Sequence, residues 1–191
     1  HYNSALMRYA LLILLCTPLL MGAAASSRSF DGTNDEVDWG NNLNVTTNDV
    51  STCLWVNTTE DASADFILGK KNGPNAEAGY GIAQSASTDT LLARVADGTD
   101  EANAAGSSDN DGTWVFACVT WTASTTTSAI YVNETQEGTA TNSLVGSLTN
   151  AVNFQAGEDA ANGTDAAMLA AYGQVYLSKV LTIPEMLEAH H

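Results

Sequence analysis

Apolar residues in this chain fall in short alternating runs and not in long helical stripes. The clearest runs are Trp114-Val-Phe-Ala-Cys-Val-Thr-Trp121 and Ser128-Ala-Ile-Tyr-Val-Asn133, where every second side chain belongs to one face. A period of two marks a strand with one face turned inward. Similar runs predict strands at 36–38, 50–57, 66–69, 80–84, 91–96, 114–121, 129–133, 152–156 and 168–177. Asp31-Gly-Thr, Asp97-Gly-Thr, Asp111-Gly-Thr and Asn162-Gly-Thr punctuate them, each with an Asp or Asn before Gly. That pair suits the positive φ of a tight turn. The polar stretches 97–113 and 143–150 read as loops, and the absence of a fixed period excludes a solenoid or propeller.

One helix signal closes the chain. Thr182-Ile-Pro-Glu185 has the form of a capping box, and Met186 and Leu187 are expected to pack this helix on the body. Many strands and one terminal helix predict an all-β fold, an antiparallel two-sheet β-sandwich over residues 26–191.

Residues 1–25 are of another kind. Arg8 precedes an apolar run from Tyr9 to Met21, and small residues follow from Gly22 to Ala25. This hydrophobic leader helix reads as a signal peptide cleaved after Ala25, with Met7 a natural start site. A membrane-anchor segment is the competing reading, but the run is short for a span and Pro18 interrupts it. The expected location is secreted or cell-surface, with membrane contact only through the leader if it stays uncleaved.

Composition then narrows the partners. The 191 residues carry 22 Asp and Glu against 6 Lys and Arg, a formal net charge of −16, and every carboxylate lies at or beyond Asp31. Such a field repels nucleic acid and anionic lipid and attracts cations. Cys16 leaves with the leader, and Cys53 and Cys118 remain in two predicted strands. A cross-strand disulfide between them and a pair of buried thiols are both consistent with that placement.

The order of segments resembles the laminin-G-like, concanavalin-A-like jelly-roll domains. The residues that carry the likeness are Ser29-Phe-Asp-Gly-Thr-Asn-Asp-Glu-Val-Asp38, Cys53-Leu-Trp-Val-Asn57 and Phe66-Ile-Leu-Gly-Lys70. They continue with Trp114–Trp121, Ile130-Tyr-Val-Asn-Glu134 and the final stretch from Tyr172 to Met186. The resemblance implies a jelly roll that hosts lectins, adhesins and glucanases alike. It also implies that Trp55, Trp114 and Trp121 are core. Two departures stand out: Ala171–Gln174 lacks the carboxylate that often helps hold a structural Ca²⁺, and Glu134 replaces a hairpin Gly.

Candidate chemistry follows. Asp31, Asn34 and Asp35 offer oxygen donors for Ca²⁺ on one turn, the only cofactor expected. Trp39 and Tyr80, next to turns, are the rings expected at the surface, with Asn75 and Gln84 as amide partners for a sugar. Asn44, Asn57, Asn133 and Asn162 each open an N-glycosylation sequon. No catalytic residues are assigned. The closest approach to a retaining-hydrolase pattern, Glu36-Val-Asp-Trp-Gly-Asn41, ends in Asn where a Glu is needed. Asp109-Asn-Asp-Gly112 fails as an EF-hand loop, because Ser107 and Cys118 occupy its first and twelfth positions. Gly69-Lys-Lys-Asn-Gly73 has the wrong spacing for a phosphate loop, and histidines outside the leader sit only at 190 and 191.

The function expected is a non-catalytic extracellular binding or adhesion module that recognises glycan or a protein surface through rim loops. The alternative is a self-associating structural protein of a surface layer, fibre or virion, and a glycoside hydrolase is the third class.

Overall fold

The computed structural model describes residues 27–33, 35–58, 66–71, 77–85, 88, 90–108, 112–157 and 167–190. The leader, at 1–25, lies outside the described residues.

Two six-stranded antiparallel sheets stack face to face. The strands are β1 (Arg28–Asp31), β2 (Val37–Asp38), β3 (Val50–Thr58), β4 (Phe66–Lys71), β5 (Gly79–Gln84) and β6 (Leu91–Ala96). They continue with β7 (Ala104–Ala105), β8 (Val115–Thr122), β9 (Thr127–Val132), β10 (Thr135–Thr141), β11 (Gln155–Ala156) and β12 (Ala167–Leu177). A helix, α1 (Ile183–His190), ends the described chain. The first sheet runs β1-β12-β3-β8-β9-β10 and the second β2-β11-β4-β5-β6-β7. The all-β sandwich expected from the alternating runs is the fold observed.

Alternation explains which side chains meet. Val50, Leu54 and Val56 of β3 face inward beside Trp121, Ala117 and Val115 of β8. They meet Tyr80, Ile82, Leu91, Ala93 and Val95 of the second sheet in one buried cluster. The opposite face of β3 and β8 carries Cys53, Trp55, Phe116 and Cys118. There Leu181, Met186 and Ala189 cover it with the C-terminal segment. Ser51 fastens that cover, since its Oγ donates to the Lys179 carbonyl at 3.0 Å and accepts Leu181 N–H at 2.9 Å.

Cys53 and Cys118 stand directly opposite in the ladder and form a disulfide, with Cα atoms 4.1 Å apart. The capping box closes through Glu185, whose carboxylate accepts Thr182 N–H at 2.9 Å and the Thr182 hydroxyl at 2.9 Å. Lys179 meets its other oxygen at 2.7 Å. The Lys179 bond, followed by those from Thr182, holds the Glu185 carboxyl at about 2.

Several expectations need correction. Leu187 does not pack on the body: Met186 and Ala189 share the buried face, whereas Leu187, one residue past Met186, turns about 100° away and is 44% exposed. Trp114 precedes β8 and is exposed, while Trp121 is buried and Trp55 is half-buried against Phe116. Strands β1, β7 and β10 were not expected. β10 reads Thr-Gln-Glu-Gly-Thr-Ala-Thr, polar but for Gly138 and Ala140 and without a fully buried position.

That polar strand has a structural task. A side chain on Gly138 would strike the Ala105 carbonyl of β7, so the bare glycine lets the two sheets close against each other at this edge. Glu137 stitches the seam by accepting Ser107 N–H at 3.0 Å and Ser108 N–H at 3.1 Å. The hairpin before it keeps a two-residue turn despite Glu134. Asn133 and Glu134 both have positive φ, at 45° and 61°, and so adopt the left-handed geometry that Asn-Gly meets without strain.

Two stability predictions follow from these contacts. Replacing Cys53 and Cys118 by Ala frees a loop with a sequence separation of 65. It should cost roughly 2–4 kcal/mol in a urea titration. Glu134→Gly should raise stability by about 1 kcal/mol, seen as a higher urea midpoint with unchanged slope.

Candidate functional site

The segment between β2 and β3 carries the most exposed ring chemistry on the described rim. Its sequence, Trp39-Gly-Asn-Asn-Leu-Asn44, turns through Gly40 (φ 75°) and Leu43 (φ 57°). Trp39 is 48% exposed, and its ring centroid lies 5.5 Å from that of buried Phe154. Phe154 in turn lies 6.4 Å from Tyr80, so the surface indole stands on an aromatic stack that reaches into the core.

Buried groups hold the backbone under that ring. Trp39 N–H donates to the Phe154 carbonyl, and Phe154 N–H to the Gly40 carbonyl, each at 3.0 Å. The Tyr80 hydroxyl donates to the Leu43 carbonyl at 2.8 Å, and burial drives its pKa well above the usual tyrosine value. Lys70 is fully buried on β4, paired across the ladder with Tyr80. Its ammonium donates to Asn41 Oδ1 at 2.7 Å and to the Val152 carbonyl. Burial pulls the Lys70 pKa below the ordinary lysine value. Asn150 braces the same corner by donating to the Lys70 carbonyl at 3.0 Å and the Ala78 carbonyl at 2.6 Å.

Polar side chains brace the segment that carries the ring. Asn42 Nδ2 donates to the Trp39 carbonyl at 2.6 Å. Asp38 accepts Gly40 N–H at 2.6 Å and Asn153 Nδ2 at 2.8 Å. Gln155 Nε2 donates to Glu36 at 2.6 Å. Further along the rim, Asp97 ties the 97–100 turn to the loop at 143–150. Burial pushes its carboxyl up, but N–H donors from Asp100, Gly146 and Thr99 outweigh it and hold the group below the usual carboxylate value. The site therefore offers an apolar ring face, fixed amides and carboxylates that accept hydrogen bonds. It can stack on a flat, hydroxyl-bearing ligand and bond to its edge.

The other expected site residues fare differently. Tyr80 is fully buried, because its strand position places the ring between the sheets, and it supports the rim from beneath instead of facing a ligand. Gln84 is only 1% exposed, in alternation with Tyr80 and Ile82, so it is no surface amide either. Asn75 and Asn34 lie outside the described residues.

Asp31 Oδ1 accepts Thr33 N–H at 2.9 Å and Asp35 Oδ2 accepts Asp31 N–H at 3.0 Å, so both carboxylates engage the turn's own backbone. Ca²⁺ needs six to eight oxygens. Among the described residues no cluster of three His, Cys, Asp or Glu completes such a set. The described part of this turn does not fit the ion by itself.

Asn41, Asn42, Asp38, Asn153 and Lys70 were not expected at the site. The Gly-Asn-Asn turn was a usable signal for the first two. Lys70 looks like a surface residue in the sequence, and nothing local marks it as buried.

Lys70→Met should leave Asn41 Oδ1 and the Val152 carbonyl without their shared donor. The expected cost is about 1–3 kcal/mol. Hydrogen exchange at Asn42 to Val45 should accelerate while exchange in β3 and β8 keeps its rank order.

A family model described as the concanavalin A-like lectin/glucanases superfamily matches residues 31–184. No curated protein matches the sequence. Among solved structures, the chain is similar to the native heptameric SAP-like pentraxin of Limulus polyphemus. The TM-score is 0.64 at 15% identity, covering 84% of this chain and 79% of that one. It is also similar to the CBM40 of the Ruminococcus gnavus IT-sialidase bound to α2,3-sialyllactose. There the TM-score is 0.61 at 12% identity, covering 85% of this chain and 97% of the other. The binding domain of Paraclostridial Mosquitocidal Protein 1 matches with a TM-score of 0.57 at 11% identity, covering 87% of this chain and 47% of that one.

Proposed function

The chain belongs to the concanavalin A-like lectin/glucanases superfamily, and from that membership we propose that it is a non-catalytic, extracellular binding module that takes glycan at the Trp39 rim. The observation that carries this reading is the half-exposed Trp39 ring on a buried aromatic stack, fixed from below by Lys70 and Tyr80. A preorganised ring loses little entropy when a ligand stacks on it. The sandwich neighbours, among them a CBM40 bound to sialyllactose, support a binding module over an enzyme. The place where a hydrolase pattern wants its third acid is Asn41, which is occupied with Lys70. The Cys53–Cys118 bond supports an oxidising, extracellular setting.

Self-association is the second reading, favoured by the heptameric state of the pentraxin neighbour. The charge of −16 and the closed β7–β10 seam weigh against stacking through that edge.

Binding is tested by a glycan array and calorimetry on the folded chain, with and without a chelator to test the Ca²⁺ expectation. Trp39→Ala should weaken the tightest glycan roughly thirtyfold, from about 2 kcal/mol for a central aromatic contact. Its circular dichroism should match the wild type. Equal affinity for the two proteins would remove Trp39 from the site.

A further inference from the structure

Recognition of an acidic sugar requires a charge-assisted donor, most often an arginine fork, within reach of the stacked ring. The sequence has six Lys and Arg, and five of them lie among the described residues. Arg8 belongs to the leader, outside the described residues. Arg28 lies on β1, the edge strand of the opposite sheet, over the ring of Phe30. Lys71 is buried on β4, at 2% exposure. Arg94 is on β6, four strand spacings across the second sheet from β2, or about 19 Å. Lys179 is paired with Glu185 beside α1. Lys70 reaches the Trp39 segment, but its ammonium is buried and directed to Asn41 and Val152.

The exposed charges that adjoin Trp39 in the chain are acidic. Glu36 and Asp38 are exposed beside Trp39, and their oxygens accept hydrogen bonds. A ligand here meets carboxylates and amides around an apolar ring. Hydroxyl groups can donate to the carboxylates, whereas a second carboxylate meets like charge and no fork.

We propose that the Trp39 rim is selective for uncharged, hydroxyl-rich glycans and rejects sialylated or uronic-acid ligands. This rests on the binding reading above and names the ligand class of the same site. It sets this chain apart from the CBM40 neighbour, whose solved complex holds sialyllactose.

The test is a paired glycan array: neutral oligosaccharides, lactose among them, printed beside their sialylated or uronic-acid counterparts. Wild type and Trp39→Ala are each run at low and high salt, with leading pairs repeated by calorimetry. Trp39-dependent binding of neutral members, insensitive to salt, is expected. Acidic counterparts should bind about tenfold more weakly or worse, with the gap narrowing as salt rises. Trp39-dependent binding in which the acidic member equals or exceeds its neutral partner overturns the selectivity and leaves the binding module standing. No Trp39-dependent binding on the whole array overturns both.

Discussion

The antiparallel pairing of β3 with β8 organises the rest of the molecule. Its register sets Val50 opposite Trp121, Leu54 opposite Ala117 and Cys53 opposite Cys118. A slip of one residue would turn the inner set outward and carry the cysteines into the core. Both faces of this ribbon are apolar, so both need a cover. The second sheet supplies one, and the C-terminal segment with Met186 supplies the other. The helix is thus a consequence of the ribbon having two dry faces. The disulfide, buried between ribbon and helix, locks the register that both covers depend on.

The rim inherits its order from that core. Phe154 and Tyr80 belong to the inter-sheet cluster and also form the pillar beneath Trp39. Lys70 is an unusual choice for an interior strand position, because an ammonium loses hydration there. Its two acceptors both come from loops, Asn41 from one and Val152 from another. An apolar side chain at 70 would fill the space but remove the donor that Asn41 and the Val152 carbonyl share. The burial cost is therefore coupled to loop placement, a relation expected where a surface must hold a ligand in one geometry.

Much of this was legible in the residues. The alternation at 114–121 and 128–133 is strong enough to give strand, face and core together, and Trp121 followed it inward. Trp114 did not, because alternation says which face a residue shares and not where the facing cover ends. Tyr80 and Gln84 depart from expectation for a related reason. A neighbouring turn does not expose Tyr80, because β5 is a central strand of its sheet with all positions, Gln84 included, buried. β10 was missed because its role is polar, sealing an edge with Gly138 and Glu137, and leaves no hydrophobic period. The Trp39 ring was legible from its turn, but its support was not. Lys70, Asn150 and Phe154 lie far along the chain and come to the Trp39 segment only when β2, β11 and β4 pair in one sheet.

What the fold leaves open is decided by charge. The matched structures share this sandwich at 11–15% identity, so the backbone can be kept while nearly every surface residue changes. A scaffold of that kind carries no ligand preference of its own. In this chain the cations are scarce, and the two lysines of β4 are both buried. The acidic surface therefore also sets the potential at the rim, which any ligand taken there would meet. Moving one arginine to an exposed position near Asn42 would change it without disturbing a single core contact. Selectivity at such a site is thus separable from stability, because the ring and its pillar belong to the core while the charges around them do not.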